Sequence, residues 1–350
     1  MTNLTKRKII CVALAAVMLM SVVLTGCGVR DDSNTTSSDE NMSQSQPMQG
    51  DDNNSGTTGK TEYAVILKTL SNDFWAKMKK GIEQEADKQG IKVDIFAANS
   101  EEDTEGQLRI LENCIAKGYK AIGVAPLSPT NLINGIVQAN KKGIYIMNID
   151  EKIDMDTLKS TGGSVIAFAT TDNVEVGKKG AEYIIDKLAD GGEVAIIEGK
   201  AGNASGEARK QGATQAFKDS DKIKLVSSQP ADWDRQKALD TAASIIQKHP
   251  NIKAIYCCND TMALGAVQAV KNADKLGKII VVGTDGAAEA IKSVEAGELY
   301  ATIAQDSAEI GATSLRQMIK AVNDKAEINA DKDPDTIPID SYIVDKESMG

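Results

Sequence analysis

The segment Ala254-Ile-Tyr-Cys-Cys-Asn259, followed by Met262–Ala273 and then by Ile279-Ile-Val-Val-Gly-Thr-Asp285, decides the fold class. Both flanking runs are apolar without alternation, the pattern of strands covered on both faces. An amphipathic helical stretch lies between them, so the unit reads as strand, helix, parallel strand. The same rhythm extends over most of the chain. Strands are expected at Tyr63–Lys68, Lys92–Ala98, Ala121–Pro126, Ile144–Asp150, Val165–Thr171, Glu193–Gly199, Ile223–Gln229 and Ala301–Gln305, besides the two quoted. Helical stretches include Trp75–Gln89, Thr130–Lys142, Val174–Ala189, Ser205–Asp219 and Asp234–Lys248. The alternation predicts parallel, doubly wound α/β sheets. Ten strands are many for one such sheet, and the set divides near Thr171. An internal echo points the same way: Lys80-Gly81-x-x-Gln84 ahead of Lys92-Val93 resembles Gln211-Gly212-x-x-Gln215 ahead of Lys224-Leu225. Two similar lobes are expected, with one larger α/β domain as the alternative.

Ahead of the folded part, Lys6, Arg7 and Lys8 precede an apolar run from Ile9 to Leu24, which ends at Leu24-Thr25-Gly26-Cys27. This is a basic n-region, an h-region and small residues before a cysteine. A run this long could also span a bilayer, but the Leu-x-Gly-Cys ending resembles the bacterial lipobox, in which the cysteine is lipidated. Residues 1–26 are therefore expected to be a lipoprotein signal peptide and Cys27 the anchor. Residues 28–60 are almost all polar or Gly and read as a tether. The formal net charge is −10, and removal of a leader with three cations and no acids takes it to −13. Nucleic acid is excluded as a natural partner for so acidic a chain.

Few residues offer chemistry. The one histidine, His249, stands at a helix end before Pro250, where a structural role is expected. Without a second histidine there is no Ser-His-Asp triad and no paired-histidine metal site. Cys114, Cys257 and Cys258 are too few for a disulfide scaffold; Cys257 and Cys258 read as buried strand thiols. The loop Gly199-Lys-Ala-Gly-Asn-Ala-Ser-Gly206 follows a strand and opens a helix, as a phosphate loop would, but its spacing fits neither phosphate-binding pattern. A Gly-rich turn is expected there.

The strand ends carry more information, because ligands of open α/β sheets bind beyond the carboxyl ends of the strands. Those ends hold Lys68, Asp150 with Glu151, Asn259, Asp285 and Gln305; Asn72, Phe74 and Trp75 follow the first strand, and Arg209 and Trp233 follow others. Planar Asp, Asn, Gln and Arg groups can engage adjacent hydroxyls, and aromatic faces can cover the C–H patches of a sugar ring. The set suits a neutral polyol. A glycosidase using Asp150 or Glu151 with Asp285 is the enzymatic alternative.

The blocks Leu67-Lys-Thr-Leu-Ser-Asn-Asp-Phe-Trp75, Gly143–Met155, Gly199–Arg209, Gln229-Pro-Ala-Asp-Trp-Asp-Arg235 and Cys258-Asn-Asp-Thr-Met-Ala263 closely resemble the ribose-type periplasmic binding family of ABC sugar importers. The resemblance runs from Glu62 to about Ala321. It implies two Rossmann-like lobes joined by three crossovers, made of 61–171 with 306–340 and of 172–305 with 341–350. It also implies a monosaccharide between them, D-allose first and D-psicose or D-ribose as alternatives. Lys68, Asn72, Phe74, Trp75, Asp150 and Glu151 would bind it from the first lobe, and Arg209, Trp233, Asn259, Asp285 and Gln305 from the second lobe and hinge. A monomer without catalytic activity, cofactor or metal is implied, delivering its sugar to a permease and ATPase complex or to a chemotaxis receptor. A repressor core of the same fold would carry a DNA-binding helix-turn-helix where this chain has a leader and tether. The chain departs from the family pattern at Asp73, where proline is usual, placing an extra carboxylate at the cleft mouth.

Overall fold

The computed structural model describes residues 61–349; the leader, Cys27 and the tether lie outside them. The first six-stranded sheet holds β1 (Tyr63–Leu67), β2 (Val93–Ala97), β3 (Ala121–Val124), β4 (Tyr145–Ile149), β5 (Ala167–Thr171) and β11 (Asp335–Ile339), in the order β11-β5-β4-β3-β1-β2. The second holds β6 (Gly192–Glu198), β7 (Ile223–Pro230), β8 (Ile252–Cys257), β9 (Ile280–Asp285), β10 (Ala301–Gln305) and β12 (Ser341–Asp345), in the order β12-β10-β9-β8-β6-β7. The two orders are the same arrangement repeated. All pairings are parallel except β10 with β12. The chain passes from the first sheet to the second after Thr171, returns after Gln305, and crosses again at Asp340. Two lobes joined by three crossovers result, rather than one larger domain.

Among the described residues ten helices cover the sheets: α1 (Asp73–Gln89), α2 (Thr104–Lys117), α3 (Ile133–Lys141), α4 (Met155–Ser160), α5 (Asn173–Lys187), α6 (Ala204–Lys218), α7 (Arg235–Lys248), α8 (Asp260–Asn272), α9 (Ala288–Glu295) and α10 (Ser307–Asp324). Strand β1 explains the unbroken apolar runs. Val65 and Leu67 enter the core beneath α1 and α10, while Ala64 and Ile66 enter the one on the other face, with Leu111 and Ile136. Helix α3 starts later than the expected Thr130, because Ser128 and Asn131 bond each other's backbone N–H groups and hold a turn there.

The internal echo has a packing cause. Gly81 and Gly212 lie where the helix after the first strand of each sheet, α1 or α6, crosses the helix that follows an interlobe crossing. A Cβ on Gly81 would stand 2.1 Å from the Ala308 carbonyl oxygen of α10, and one on Gly212 2.0 Å from that of Val174 in α5. Only glycine permits such an approach. His249 caps the C-terminus of α7 through its N–H to the Ile245 carbonyl. Cys114, Cys257 and Cys258 are free, buried thiols. No described helix is long and apolar enough to cross a membrane.

Candidate functional site

The carboxyl ends of the strands of both lobes face one another across a narrow cleft, whose space counted together with the solvent at its mouth is about 380 Å³. Its walls bring together Lys68, Asn72, Phe74, Trp75 and Asp150 from the first lobe with Arg209, Trp233, Asn259 and Asp285 from the second. Glu151 and Gln305, also named from the sequence, do not line it but stand behind residues that do. Two lining residues were missed: Glu101, on the loop after β2, and Ser205, in the first turn of α6. Glu101 could have been found by inspecting every strand end, since it follows Ala98-Asn99-Ser100 beyond β2.

The first wall is set by α1. Asn72 is its N-cap, its side-chain oxygen accepting the Phe74 N–H at 2.9 Å, which leaves its NH2 donors to the cleft. Phe74 and Trp75 follow in the first turn, edge to face at 5.0 Å. Trp75 Nε1 donates to Glu101 at 3.2 Å, and the Lys68 ammonium lies 5.6 Å from the Trp75 ring centre, a cation–π distance. Lys68 Nζ also donates to Glu151 Oε2 at 2.9 Å; both side chains are buried. Burial opposes charge on each, but the surrounding groups together prevail: Glu151, Glu101 and Asp150 raise the Lys68 pKa, and Lys68 with the Ser205 hydrogen bonds lowers that of Glu151. Asp150 has no such partner. Burial pushes its carboxyl up to about 7 against the pull of Lys68, and its Oδ1 accepts no hydrogen bond from the protein.

The second wall is centred on Arg209. Its Nε donates to Asn173 at 2.8 Å, and Nη1 donates to the Cys258 carbonyl at 2.7 Å and to Asp285 Oδ1 at 3.2 Å. Gln305 Nε2 donates to the same Asp285 oxygen at 2.7 Å, so its role is to orient Asp285. Burial raises the Asp285 pKa against the opposing pull of Arg209. Asn259 caps α8 through the Met262 N–H at 2.8 Å and, like Asn72, keeps its NH2 for the cleft. Asp150, Trp233 and Asp285 have positive φ values of 60°, 65° and 118°. Three non-glycine residues strained at one cleft mark a functional site, since each such conformation costs on the order of 1–3 kcal/mol.

The Gly-rich loop serves this wall in two ways. A Cβ on Gly199 would meet the Trp233 ring at 2.0 Å and one on Gly206 would approach it to 2.9 Å, so these glycines seat the indole. The helix N-terminus that could have held a phosphate instead holds the carboxylate of Glu151, which accepts the Ser205 N–H at 3.2 Å and the Ser205 hydroxyl at 2.7 Å. Among the described residues no group of three or more His, Cys, Asp or Glu side chains is placed to hold a metal ion.

Twin parallel α/β lobes that close over a small polar cleft, with hydrogen-bonding groups and aromatic faces on both walls, define a two-lobed solute-binding protein. The chain belongs to the periplasmic binding protein family, whose domain matches residues 63–326. It is 62% identical over 284 residues to the D-allose-binding periplasmic protein of Escherichia coli (strain K12), covering 81% of this chain and 91% of that one. A ribose import binding protein of Bacillus subtilis (strain 168) is 34% identical over 265 residues, 76% of this chain and 83% of that one. Among solved structures, an ABC transporter periplasmic solute-binding protein from Actinobacillus succinogenes with bound D-allose superposes with a TM-score of 0.77 at 35% identity, covering 82% of this chain and 98% of that one. These relatives are solute-binding proteins, not enzymes, and the glycosidase alternative falls with them.

Proposed function

We propose that this protein captures D-allose in the cleft and delivers it to the permease and ATPase complex of an ABC importer. The observation that carries the reading is the 62% identity to the Escherichia coli D-allose-binding protein. The walls supply what a pyranose needs. Asp150 and Asp285 offer acceptors, while Arg209, Lys68 and the Asn72 and Asn259 amides offer donors; Phe74, Trp75 and Trp233 cover the ring faces. The lobes move as two bodies, 61–171 with 306–340 and 172–305 with 341–350, and a ligand touching both walls favours their closed arrangement. The protein acts as a monomer.

Calorimetric titration of the chain without its leader against D-allose, D-psicose, D-ribose, D-glucose and D-galactose tests the reading. D-Allose should bind tightest; heat with ribose and none with allose would overturn the choice of sugar. Lipid on Cys27 holds the protein at the outer face of the cytoplasmic membrane or on the periplasmic side. Replacing Cys27 with Ser should release it in folded form, and fatty-acid labelling of that variant at the wild-type level would exclude the anchor.

A further inference from the structure

Seven of the ten described helices begin on a residue whose own side chain accepts a hydrogen bond from the helix's first amides, as Asp172 does for α5 and Asn259 for α8. The exceptions are α3, α6 and α9. Helix α3 opens from a turn within its own lobe, with the Ile133 N–H donating to the Thr130 carbonyl at 3.2 Å. Helices α6 and α9 belong to the second lobe and start at the cleft.

At α6 the N-cap residue Asn203 uses its side chain elsewhere. Its oxygen accepts Trp233 Nε1 at 2.9 Å and its nitrogen donates across the cleft to the Leu127 carbonyl at 3.2 Å. At α9 the N-cap residue is Ala287, which has nothing to offer. Both helices take a cap from the first lobe, although in α9 the Ala287 N–H is accepted by Asp260 Oδ2 of the same lobe at 2.7 Å. Glu151 accepts the N–H groups of Ala204 and Ser205. Asp73 Oδ2 accepts the Ala288 N–H at 2.9 Å, and one turn along α1, Lys77 Nζ donates to the Gly286 carbonyl at 2.6 Å and lies 3.4 Å from the Asp73 carboxylate.

We propose that Asp73 and Glu151 are helix caps acting between lobes, formed only when the cleft shuts, and that Asp73 thereby sets how long the closed protein retains its ligand without touching that ligand. The proposal rests on the sugar-binding reading of the cleft. A carboxylate at a helix N-terminus is favoured by the free amides and by the helix dipole. Opening the cleft separates both carboxylates from both N-termini at once, so the preference is expressed in the closed state alone. Glu151 keeps Lys68 as a partner in either state and lies behind the binding wall. Asp73 is the cleaner probe: its side chain is 43% exposed and lines no part of the cleft.

The test uses the mature, lipid-anchored full chain in detergent, with D-allose as probe, and compares wild type with Asp73→Ala and Asp73→Glu. Stopped-flow tryptophan fluorescence should show the Ala variant releasing sugar about threefold to fivefold faster, the range expected for a partly exposed cap, at an unchanged association rate. The Glu variant, which keeps the carboxylate, should recover most of the loss. Spin labels on the two lobes should show the sugar-free closed population falling by a similar factor in Asp73→Ala. Equal release rates and equal closed populations in wild type and Asp73→Ala would overturn the proposal. A wild type indifferent to D-allose would refute the sugar reading, and the sugar-free closed population alone would then decide: a fall in Asp73→Ala supports the caps, and no change overturns them.

Discussion

Trp75 and Trp233 line the same cleft from opposite lobes but are held in different ways. Trp75 sits in the first turn of α1 with ordinary helical backbone, packed on Phe74 and tied to Glu101. Trp233 is half-buried, with φ at 65°, and its ring rests on Gly199 of a loop and Gly206 in the first turn of α6, about thirty residues away in sequence. The indole of the first wall is positioned by the regularity of a helix start, whereas Trp233 and Asp285 of the second both sit on strained loops that the surrounding lobe must hold in place. A wall built on strain is the more easily damaged at a distance, because residues that never meet the ligand fix its geometry.

The largest expected effect is on the strained wall. Asp285→Asn removes a charged acceptor whose backbone and side chain are both held in place, and should weaken D-allose binding by roughly tenfold to a hundredfold in calorimetry. Wild-type affinity would remove Asp285 from the site. Next comes the seat of the indole. Gly199→Ala should displace Trp233 and cost about tenfold in affinity, on the scale of a modest overpacking penalty. Gly202→Ala, where a Cβ meets nothing within 4 Å although φ is +81°, should leave affinity unchanged and lower only the melting temperature. If both variants bind alike, the glycines do not position that wall.

The smallest effect sharpens the comparison from the first wall. Asp150 holds its proton up to about pH 7 in the closed form, where it faces Lys68, Glu151, Arg209 and Asp285. Opening returns solvent to the carboxyl and brings its pKa down toward the ordinary value of about 3.9. Closing therefore takes up a proton between these limits, so the sugar-free closed form is favoured at low pH and loses that advantage as pH rises through about 7. Interlobe distances measured by spin labelling should show the closed-to-open ratio falling about fourfold between pH 6.5 and pH 8. A ratio that rises, or an equal fall in Asp150→Asn, would assign the titration to another group.

Much of this was legible in the sequence because sheets covered on both faces leave unbroken apolar runs, as at Ile280–Val282, and because open α/β sheets gather ligands at strand ends. Nine of the residues named on that basis line the cleft. Strands β11 and β12 escaped notice for the opposite reason: Asp-Thr-Ile-Pro-Ile and Ser-Tyr-Ile-Val-Asp are largely exposed edge segments, one carrying Pro338, and periodicity does not mark them. Glu151 and Gln305 sit at the right strand ends, but whether such a side chain faces the cleft or braces a neighbour depends on contacts between strands distant in sequence. The positive φ of Trp233 has no sequence signal, since a bulky aromatic does not favour it, and the φ of 118° at Asp285 lies outside the left-handed region that aspartate tolerates.

The third crossing sets the mechanics. Asp340 alone separates β11, which extends the first sheet, from β12, which extends the second. A joint one residue long can pivot but has no slack to let the sheets slide apart. Strand β1, which leads into Asp73, lies four strands from β11, roughly 19 Å at a spacing of about 4.8 Å, so a pivot of about 10° swings its end by roughly 3 Å. That displacement is enough to part the Asp73 carboxylate from Ala288, whereas Thr170 and Thr171 on neighbouring β5 would shift by less than 1 Å. The protein is a lever with its fulcrum at the C-terminal strand pair and its catch at the far lip, where a weak bond resists opening with the greatest leverage.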